Sequence, residues 1–294
     1  MTLSILIPTY NYNARALVHE LLQVIERESV DAEIIIGDDA SSCETAWMDE
    51  VTAWNRVQVV HYTQNAGRAA HRNRMAEAAE GKWLLYIDCD AIVEKEFSLK
   101  SYLGKTSEAN VICGGLRHPN INPNPEATLR YKYERTADRH RTATERNKNP
   151  YANFTPFNLF ILRDVFLSIR FNEDCKEYGY EDALLGVELK QQHIPVLHID
   201  NPLVHTGLES NEIYLKKTET ALRTLKSLHG KMHGYSLLEN TANKLQRWHL
   251  AGIYRYIFKV SANCMRRNLL GQHPNLTIFS LYKLGYFLNL SPQS

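Results

Sequence analysis

The sequence predicts an α/β protein whose central sheet is mostly parallel and is covered by helices on both faces. The main observation is an alternation along the first hundred residues. Short apolar segments typical of buried strands are separated there by segments whose apolar residues recur at helical spacing. The chain length agrees with this class, because 294 residues with 44% hydrophobic composition can bury one large core or two smaller ones.

Each element of this alternation has its own local signal. Apolar runs that end at proline, aspartate or turn residues predict strands at residues 3–8, 33–37, 57–62 and 82–87. Apolar residues at helical spacing predict helices between them at residues 15–28, 45–54 and 68–79. Since repeated βα units bring the carboxyl ends of parallel strands to one edge of the sheet, ligand-binding residues are expected at that edge.

The second half of the chain is less regular. Its predicted strands lie at residues 111–116, 154–162 and 194–199. Its predicted helices lie at residues 127–139, inside a polar excursion over 117–150, and at 163–169 and 177–192. Residues beyond 210 are expected to be helical. We therefore predict a larger domain over residues 1–210 and a helical C-terminal extension over residues 211–294.

Composition excludes several classes of protein. A net charge of +1 gives no nucleic-acid signal, so no nucleic-acid partner is expected. Five cysteines without a CxxC spacing argue against a disulfide framework or a zinc site. The first apolar run has no charged leader, and no apolar stretch of about 18 residues occurs. A cytoplasmic protein without a signal peptide or a membrane-spanning helix is expected.

Polar residues follow three predicted strands at the point where each strand ends: "PTYN" at 8–11, Asp38-Asp39, and "DCD" at 88–90. Two carboxylates one residue apart, with no adjacent Lys or Arg, repel each other unless a cation neutralises them. Mg²⁺ and Mn²⁺ prefer such oxygen ligands. An Asp-x-Asp segment is also a common strand-ending turn, so both interpretations stay open at this point. The absence of GxxxxGK[ST] and GxGxxG segments disfavours a P-loop enzyme and a dinucleotide dehydrogenase.

Six segments occur in the order and approximate spacing of one known family. They are "SILIPTYN", "IIIGDDAS", "NAGRAAHRN", "GKWLLYIDCD", "EYGYEDALLG" and "PLVHTG". Over residues 3–210 the chain therefore resembles the family 2 glycosyltransferases, which have the Rossmann-like GT-A fold. The resemblance implies an inverting transfer of a sugar from a nucleotide-diphosphate donor. UDP is the expected nucleotide, and Mn²⁺ or Mg²⁺ is the expected cofactor.

The resemblance also implies which residues contact the donor and the metal. Donor contacts are implied for Pro8, Thr9, Tyr10, Asp38, Asp39, Arg68, Arg72, Asn73 and Asp88. Asp39 takes the place of the residue that contacts uracil. Metal binding is implied for Asp90, for Asp88 and for His205, although a lone histidine after a strand is also often structural.

Two features of the predicted helix at residues 68–79 leave the donor contacts open. Arg68 and Arg72 are four residues apart and share a helix face, which fits a donor clamp and fits simple solvation equally well. His71 stands where the family usually has a smaller residue, so the local donor contacts are expected to differ.

The base that an inverting transfer requires is implied at Asp182, with Glu181 as the competing candidate. Burial beside an apolar sugar face would raise the pKa of such a carboxyl toward the working range of a base. The alternative is that both acidic residues only complement a helix dipole.

The C-terminal extension has an uneven charge. Residues 240–294 contain no Asp or Glu and seven Lys or Arg, which leaves −6 for the rest of the chain given the net charge of +1. Ile253, Ile257, Val260 and Cys264 form one predicted helical stripe, and many aromatic residues accompany it. This pattern favours a peripheral contact with an anionic membrane surface on the cytoplasmic side over a helix that docks on the protein.

These features together predict a metal-dependent, inverting glycosyltransferase that acts on a hydroxyl of a glycan or lipid-linked glycan. Two alternatives remain from the sequence. A sugar-phosphate nucleotidyltransferase is disfavoured because its Gly-rich N-terminal signature is missing. A non-catalytic glycan-binding scaffold is disfavoured because Asp39, Asp88, Asp90 and Asp182 are all present.

Overall fold

A computed structural model describes residues 1–152, 154–175, 178–228 and 236–291. They divide into two compact units. The first comprises Met1–Pro119, Asp138–Lys176 and Glu181–Gly207, and the second comprises Asn120–Ala137, Glu177–Tyr180 and Leu208–Ser294. Every residue implied above for donor, metal or base lies in the first unit.

Ten strands are present in the described residues. They are β1 (Leu3–Thr9), β2 (Ala32–Asp38), β3 (Val57–His61), β4 (Trp83–Ile87), β5 (Ala91–Ile92), β6 (Val111–Cys113), β7 (Leu116–Arg117), β8 (Asn158–Leu162), β9 (Val196–His198) and β10 (Leu203–His205). Seven of them form the central sheet in the order β3-β2-β1-β4-β8-β6-β9. Only β8 runs antiparallel to its neighbours in this sheet. The prediction of a mostly parallel sheet is confirmed.

Eight helices precede residue 200 in the part of the chain that the structure describes. They are α1 (Arg15–Glu28), α2 (Ala46–Thr52), α3 (Arg68–Ala78), α4 (Lys100–Leu103), α5 (Thr128–Asp138), α6 (Ala143–Asn147), α7 (Arg163–Ile169) and α8 (Glu181–Gln191). Alternate residues of β1 point to opposite faces of the sheet, as the pleat requires. Ile5 packs in a core with α1 and α2, and Leu6 packs in a second core with α3, α7 and α8. Helices therefore cover both faces, as predicted.

A small second sheet was not predicted. Its strands are in the order β5-β10-β7, and each has only two or three residues, too few to show an alternating pattern. The predicted strand 111–116 was wrong as one element, because Gly114 and Gly115 separate β6 from β7. The polar excursion contains a second helix, α6, that the sequence analysis missed. The predicted helix over residues 177–192 was wrong at its start, because Gly179 and Tyr180 have positive φ angles and α8 begins only at Glu181. Residue 177 itself lies outside the described residues.

The second unit contains α9 (Asn211–Ser227), α10 (Leu237–Arg247), α11 (Ala251–Leu270) and α12 (Leu276–Asn289). Its core consists of Leu129, Leu215, Phe258, Leu269, Phe279 and Tyr282. The prediction of helices beyond residue 210 is confirmed for the described residues, and residues 229–235 and 292–294 lie outside them. In that described part, no helix is both long and apolar enough to cross a bilayer.

Candidate active site

The carboxyl ends of β1 and β2 bring the first group of predicted donor residues together. Thr9 pairs with Asp38 in the parallel register, and the Asp39 N–H donates to the Thr9 carbonyl over 2.9 Å. Thr9 is buried, Pro8 is half-buried, and Tyr10 is exposed. The edge thus presents one exposed aromatic ring beside a buried pair of acidic residues.

The two acidic residues of this edge are held by different partners. Asp38 accepts from the Ser41 N–H over 3.0 Å and lies 3.0 Å from Nδ1 of His61. Burial acts to raise the pKa of Asp38, but the contacts with Ser41 and His61 outweigh it and leave that pKa below its usual value. Asp39 accepts from the backbone N–H groups of Ala66 and Gly67.

Through those contacts, Asp39 joins the end of β2 to the start of α3. Helix α3 begins after Gly67, whose φ of 80° suits glycine, and its first turn carries Arg68. His71 lies on the buried side of this helix, 3.0 Å from the Gly37 carbonyl through Nε2. Burial lowers the pKa of the His71 imidazole, although Asp39 acts in the opposite direction. The bulky residue noted in the sequence thus fills space between α3 and β2.

Arg72 supplies the positive charge for the first aspartate of the Asp-x-Asp segment. Its Nη2 donates to Oδ1 of Asp88 over 2.7 Å, and Arg72 is only 4% exposed. The guanidinium also lies over the Phe171 ring, 5.6 Å from its centroid. Its Nε and Nη1 have no hydrogen-bond partner in the described part of the chain. Since the sequence shows no cation adjacent to Asp88, only the packing of α3 against β4 reveals this pair.

Asn73 contacts a loop. Its Nδ2 donates to the Phe171 carbonyl and to Glu173, and its Oδ1 accepts from the Phe171 N–H. Arg68 extends from the same helix into a half-exposed position, where its Nη1 lies 3.7 Å from Oε1 of Glu181. The two arginines predicted on one face therefore have different surroundings, one buried against Asp88 and one at the surface beside Glu181.

The second aspartate, Asp90, faces His205. Oδ2 of Asp90 lies 3.1 Å from Nε2 of His205. The small sheet explains the approach, because β10 pairs His205 with Ala91, the residue after Asp90. Thr206 donates to the Asp90 carbonyl through its N–H and its Oγ1. A Cβ at Gly207 would overlap the Asp90 carboxylate, so the "HTG" segment fits closely around this residue.

The other nitrogen of His205 continues into a chain of contacts. Nδ1 of His205 lies 3.2 Å from Nε2 of His118, and Nδ1 of His118 lies 3.1 Å from Oδ1 of Asp138. Both histidines are buried, with 8% and 3% of their surface exposed. Asp90, His205, His118 and Asp138 thus form one row that runs from the sheet edge into the protein.

Asp182 and Glu181 begin α8, as predicted. Burial, and after it the neighbouring Glu181 carboxylate, raise the pKa of the Asp182 carboxyl to about 6. The Ala183 N–H, which donates to Asp182 over 2.8 Å, and the charges of Arg72 and Arg68 act against this rise. An acidic pair with one strongly perturbed member is typical of acid–base sites.

Some residues of this site were missed by the sequence analysis. They are Tyr12, whose pKa is raised by burial and then by Asp90, together with Thr206, His118 and Asp138. Thr206 lies inside a quoted motif and could have been noticed. His118 and Asp138 lie in the polar excursion, where no spacing relates them to Asp90.

The residues at the sheet edge fit a divalent cation that is held partly by a ligand. No three His, Cys, Asp or Glu side chains form a ready metal cluster in the described ranges of the chain. Asp90 and His205 form a pair, and Asp88 is engaged by Arg72. Two protein ligands plus diphosphate oxygens and water is the usual arrangement for Mg²⁺ or Mn²⁺ in such sites.

Comparison with curated proteins identifies two bacterial relatives over part of the chain. The chain is 28% identical over 120 residues to the glycosyltransferase GlyG of Streptococcus pneumoniae, which covers 38% of each protein. It is 28% identical over 139 residues to the poly(ribitol-phosphate) beta-glucosyltransferase of Bacillus spizizenii, which covers 44% of this chain and 21% of that protein. The chain therefore matches well under half of the length of either relative.

Solved structures share the fold at low sequence identity. The crystal structure of residues 1–349 of S. aureus TarS has a TM-score of 0.52 and 18% identity, and covers 98% of this chain and 89% of that one. The Pyrobaculum calidifontis mannosyltransferase PcManGT, in complex with GDP-Man and Mn²⁺, has a TM-score of 0.50 and 14% identity over 76% and 62% of the two chains. These likenesses confirm the predicted GT-A fold.

The model of one protein family matches the part of the chain that contains β1 through α7. The matching family is glycosyl transferase family 2, over residues 4–170, which is more than half of the chain. The predicted resemblance is confirmed: this chain belongs to glycosyl transferase family 2.

Proposed function

We propose that this chain transfers a sugar, with inversion, from a UDP-sugar to a hydroxyl group of a glycan or lipid-linked glycan. The observation that carries the proposal is the acidic pair at the start of α8. It places a carboxyl with a raised pKa under the electrostatic influence of Arg72, whose guanidinium also holds Asp88. A base, a cation and the Asp-x-Asp segment therefore belong to one connected site.

The donor nucleotide is assigned to the edge formed by β1, β2 and the start of α3. Pro8, Thr9, Tyr10, Asp38 and Asp39 would contact the base and ribose. Tyr10 offers an exposed ring for stacking, and the Asp39 carboxylate has lone pairs beyond the two backbone N–H groups it accepts. S. aureus TarS has been solved in complex with UDP and with UDP-GlcNAc, which favours UDP over other nucleotides here.

Positive charge for the leaving diphosphate is assigned to Arg68 and Arg72. Arg72 has two buried guanidinium nitrogens without a hydrogen-bond partner among the described residues, and a ligand oxygen that reached them would accept their hydrogen bonds. Arg68 is half-exposed and can reach a bound diphosphate by a change of rotamer. Asn73 would position the neighbouring Arg72 guanidinium, and Asp88 would position the donor sugar.

Mn²⁺ or Mg²⁺ is assigned to Asp90 and His205, with Asp88 as a further ligand. When bound there, the ion would neutralise charge on the diphosphate as the sugar departs. The protein residues would hold its position, since Asp90 is fixed by Thr206 and by the close approach of Gly207.

Asp182 is assigned as the base that takes the proton from the acceptor hydroxyl. The raised pKa brings this carboxyl closer to the pH at which a base works well. Attack by the acceptor oxygen from the face opposite the diphosphate would invert the anomeric configuration. Glu181, buried beside Arg68, is the alternative base.

The acceptor is assigned to the class of cell-envelope glycans or glycan polymers. One relative acts on poly(ribitol-phosphate), as its name states.

We further propose that α11 contacts an anionic membrane surface. Ile253, Tyr256, Ile257 and Val260 form a stripe on this helix and are 55–72% exposed, and Arg255 and Lys259 are exposed beside it. Residues 1–210 would then be the catalytic domain and residues 211–294 the part that reaches the membrane.

One assay tests the proposed transfer against the alternatives. The protein is incubated with a panel of UDP-sugars and Mn²⁺, and UDP release is followed with and without a glycan acceptor. Acceptor-dependent UDP release supports transfer, and the product's anomeric configuration by NMR tests inversion. Pyrophosphate release from nucleoside triphosphate and sugar phosphate would instead identify a nucleotidyltransferase. Glycan binding without either product would identify a scaffold.

A further inference from the structure

We propose that His118 and Asp138 are positioning residues that fix the ring orientation and the tautomer of His205. They would thereby hold the Nε2 lone pair of His205 toward Asp90. The inference rests on the proposed metal role of Asp90 and His205. It adds two residues from the polar excursion that no sequence motif contains.

The row of contacts is continuous and closely packed. The Nε2 atom of His118 reaches Nδ1 of His205, and the two rings are almost perpendicular, with 88° between their planes. Phe157 meets the His205 ring edge-on from another side, with 5.2 Å between the centroids. The register of the small sheet produces this contact, since Val204 of β10 pairs with Arg117 of β7, the residue before His118. His205 therefore has little freedom to rotate.

The far end of the row is anchored to a carboxylate. Asp138 accepts from the His118 backbone N–H over 3.1 Å as well as facing Nδ1 of the ring. Arg141 donates to Oδ1 of Asp138 over 3.0 Å. Burial acts to raise the pKa of Asp138, but His118 and Arg141 outweigh it and leave that pKa below its usual value. An ionised carboxylate thus ends the row.

With both imidazole rings neutral, donor and acceptor rules give one arrangement of protons along the row. An ionised carboxylate only accepts, so Nδ1 of His118 carries a proton and donates to Asp138. In a neutral ring, Nε2 of His118 is then an acceptor, so Nδ1 of His205 carries the proton between the two rings. Nε2 of His205 is left with a lone pair that faces the Asp90 carboxylate at 3.1 Å. An imidazole nitrogen and a carboxylate oxygen at this separation can both bind one divalent cation.

This arrangement does more than a single histidine ligand can do. A second hydrogen-bond partner commonly sets the tautomer and orientation of a metal-binding histidine, and losing that partner costs about 10- to 100-fold in metal affinity. Here the partner is a histidine that is itself oriented by a carboxylate. Without His118, the His205 proton can move to Nε2, and the ligand lone pair then points away from Asp90.

The first test measures Mn²⁺ affinity in the presence of UDP by electron paramagnetic resonance, which counts free Mn²⁺. His118→Phe keeps a planar ring but removes both nitrogens, and it should weaken Mn²⁺ binding about 10- to 100-fold. Asp138→Asn keeps an acceptor for His118 and should lose much less affinity. His198→Phe is the matched control, because His198 is also buried in the first unit but contacts Arg146 instead. Its Mn²⁺ affinity should stay near that of the wild type.

Thermal melting and Asp90→Ala complete this test. Equal Mn²⁺ affinity of His118→Phe and wild type, while Asp90→Ala loses binding, would overturn the positioning role and leave the metal site standing. Unchanged Mn²⁺ binding by Asp90→Ala would instead overturn the proposed metal site. If His118→Phe does not fold, the Asp138→Leu variant, which removes the acceptor, should show the same loss of affinity.

The second test observes the tautomer directly and does not depend on a variant. Long-range ¹H–¹⁵N NMR of the protein labelled with ¹⁵N-histidine, in Mg²⁺ and UDP, distinguishes the two nitrogens of each ring. We expect the proton of both His118 and His205 on Nδ1. A His205 ring protonated on Nε2 would contradict the inference.

Discussion

The Nη2 nitrogen of Arg72 lies 2.7 Å from Oδ1 of Asp88, so α3 delivers a buried cation to the first carboxylate after β4. Asp90, two residues later, faces His205 at 3.1 Å instead. The two aspartates of one short motif therefore have different partners. Their substitutions should have different consequences, and the same holds for the residues that contact them.

Substitution of Arg72 should weaken donor binding. Arg72→Lys keeps the charge but loses the planar guanidinium that is proposed to donate to the diphosphate, and a charge-assisted hydrogen bond contributes about 1.5–3 kcal/mol. We expect UDP affinity, measured by calorimetry in Mn²⁺, to fall about 10- to 100-fold. Arg74→Lys is the matched control, since Arg74 lies on the exposed side of the same helix. Equal UDP affinity of both variants would leave Arg72 with a structural role only.

Substitution of Asp90 should remove the metal dependence of donor binding. Asp90→Ala removes one of the two proposed metal ligands, so added Mn²⁺ should no longer strengthen UDP binding. His205→Ala should retain a weaker response, because water can replace one nitrogen ligand. Asp164→Ala, which changes an exposed carboxylate of α7, is the control for lost negative charge. A normal Mn²⁺ response in Asp90→Ala would exclude Asp90 as a ligand.

Substitution of Asp182 should affect turnover more than binding. Asp182→Asn has nearly the same shape but takes no proton, so kcat should fall about 10²-fold or more while UDP affinity is kept. Because the pKa of Asp182 is higher in the folded chain, its ionisation lowers stability progressively as pH rises from the ordinary carboxyl pKa to about 6, and the full loss is present above that value. The Asn variant should therefore have the higher Tm at neutral pH, and the difference should vanish as pH falls and Asp182 is protonated. Near-normal turnover would transfer the role to Glu181.

The pH dependence of kcat/KM should follow the ionisation of Asp182. The base form is lost as pH falls through about 6, so activity should decline on the acidic side of that value. Glu181→Gln removes a negative charge that raises the pKa of Asp182, so the acidic limb should move to lower pH. Arg68→Gln removes a positive charge and should move it to higher pH. If the wild type, Glu181→Gln and Arg68→Gln lose kcat/KM at the same pH, a group other than Asp182 controls the pH dependence.

The exposed stripe of α11 should determine membrane binding. Five cations of residues 240–294 are exposed, namely Lys244, Arg247, Arg255, Lys259 and Arg267. Near an anionic surface each can contribute about 1 kcal/mol, so vesicle binding should weaken as salt is added. The double variant Ile257→Asp/Val260→Asp should abolish co-sedimentation with anionic vesicles while UDP release continues. Thr241→Asp/Ser280→Asp changes two exposed residues of α10 and α12 by the same charge and should still bind.

Point variants are preferable to deletion of this region. Phe258, Leu269, Phe279 and Tyr282 belong to the core of the second unit, so removal of residues 240–294 would expose Leu129 and Leu215. Vesicle binding that is absent, or that ignores salt, would refute the membrane proposal. Concentration-dependent sedimentation without vesicles, lost in Ile257→Asp/Val260→Asp, would identify the stripe as a contact between copies.

The first half of the fold could be predicted because each element there is long enough to show its own period. Helix α1 has the predicted bounds, and β1 to β4 differ from prediction by one or two residues. The strands β5, β7 and β10 could not be predicted, because two or three residues show no alternation. The pairing of these strands decides which residues contact Asp90, so the contacts of Asp90 could not be predicted from the sequence either.

The candidate site could be predicted where its residues end a strand or begin a helix. Asp38, Asp39, Asp88 and Asp90 satisfy that condition, and the resemblance to a known family supplied the implied roles. His118 could not be found in this way, because its partners are 87 residues ahead and 20 residues ahead in the sequence. Contacts over such separations arise only from packing.

The tight fit of Gly207 against Asp90 has a consequence for how the chain tolerates variation. A methyl group at position 207 would displace the carboxylate, whereas one at Gly252 would meet open space. In a saturation library selected for sugar transfer, position 207 should return glycine alone, and position 252 should accept most small residues. The two glycine positions would thus accept opposite sets of residues. The contrast would show how far the Asp90 carboxylate can be displaced before sugar transfer is lost.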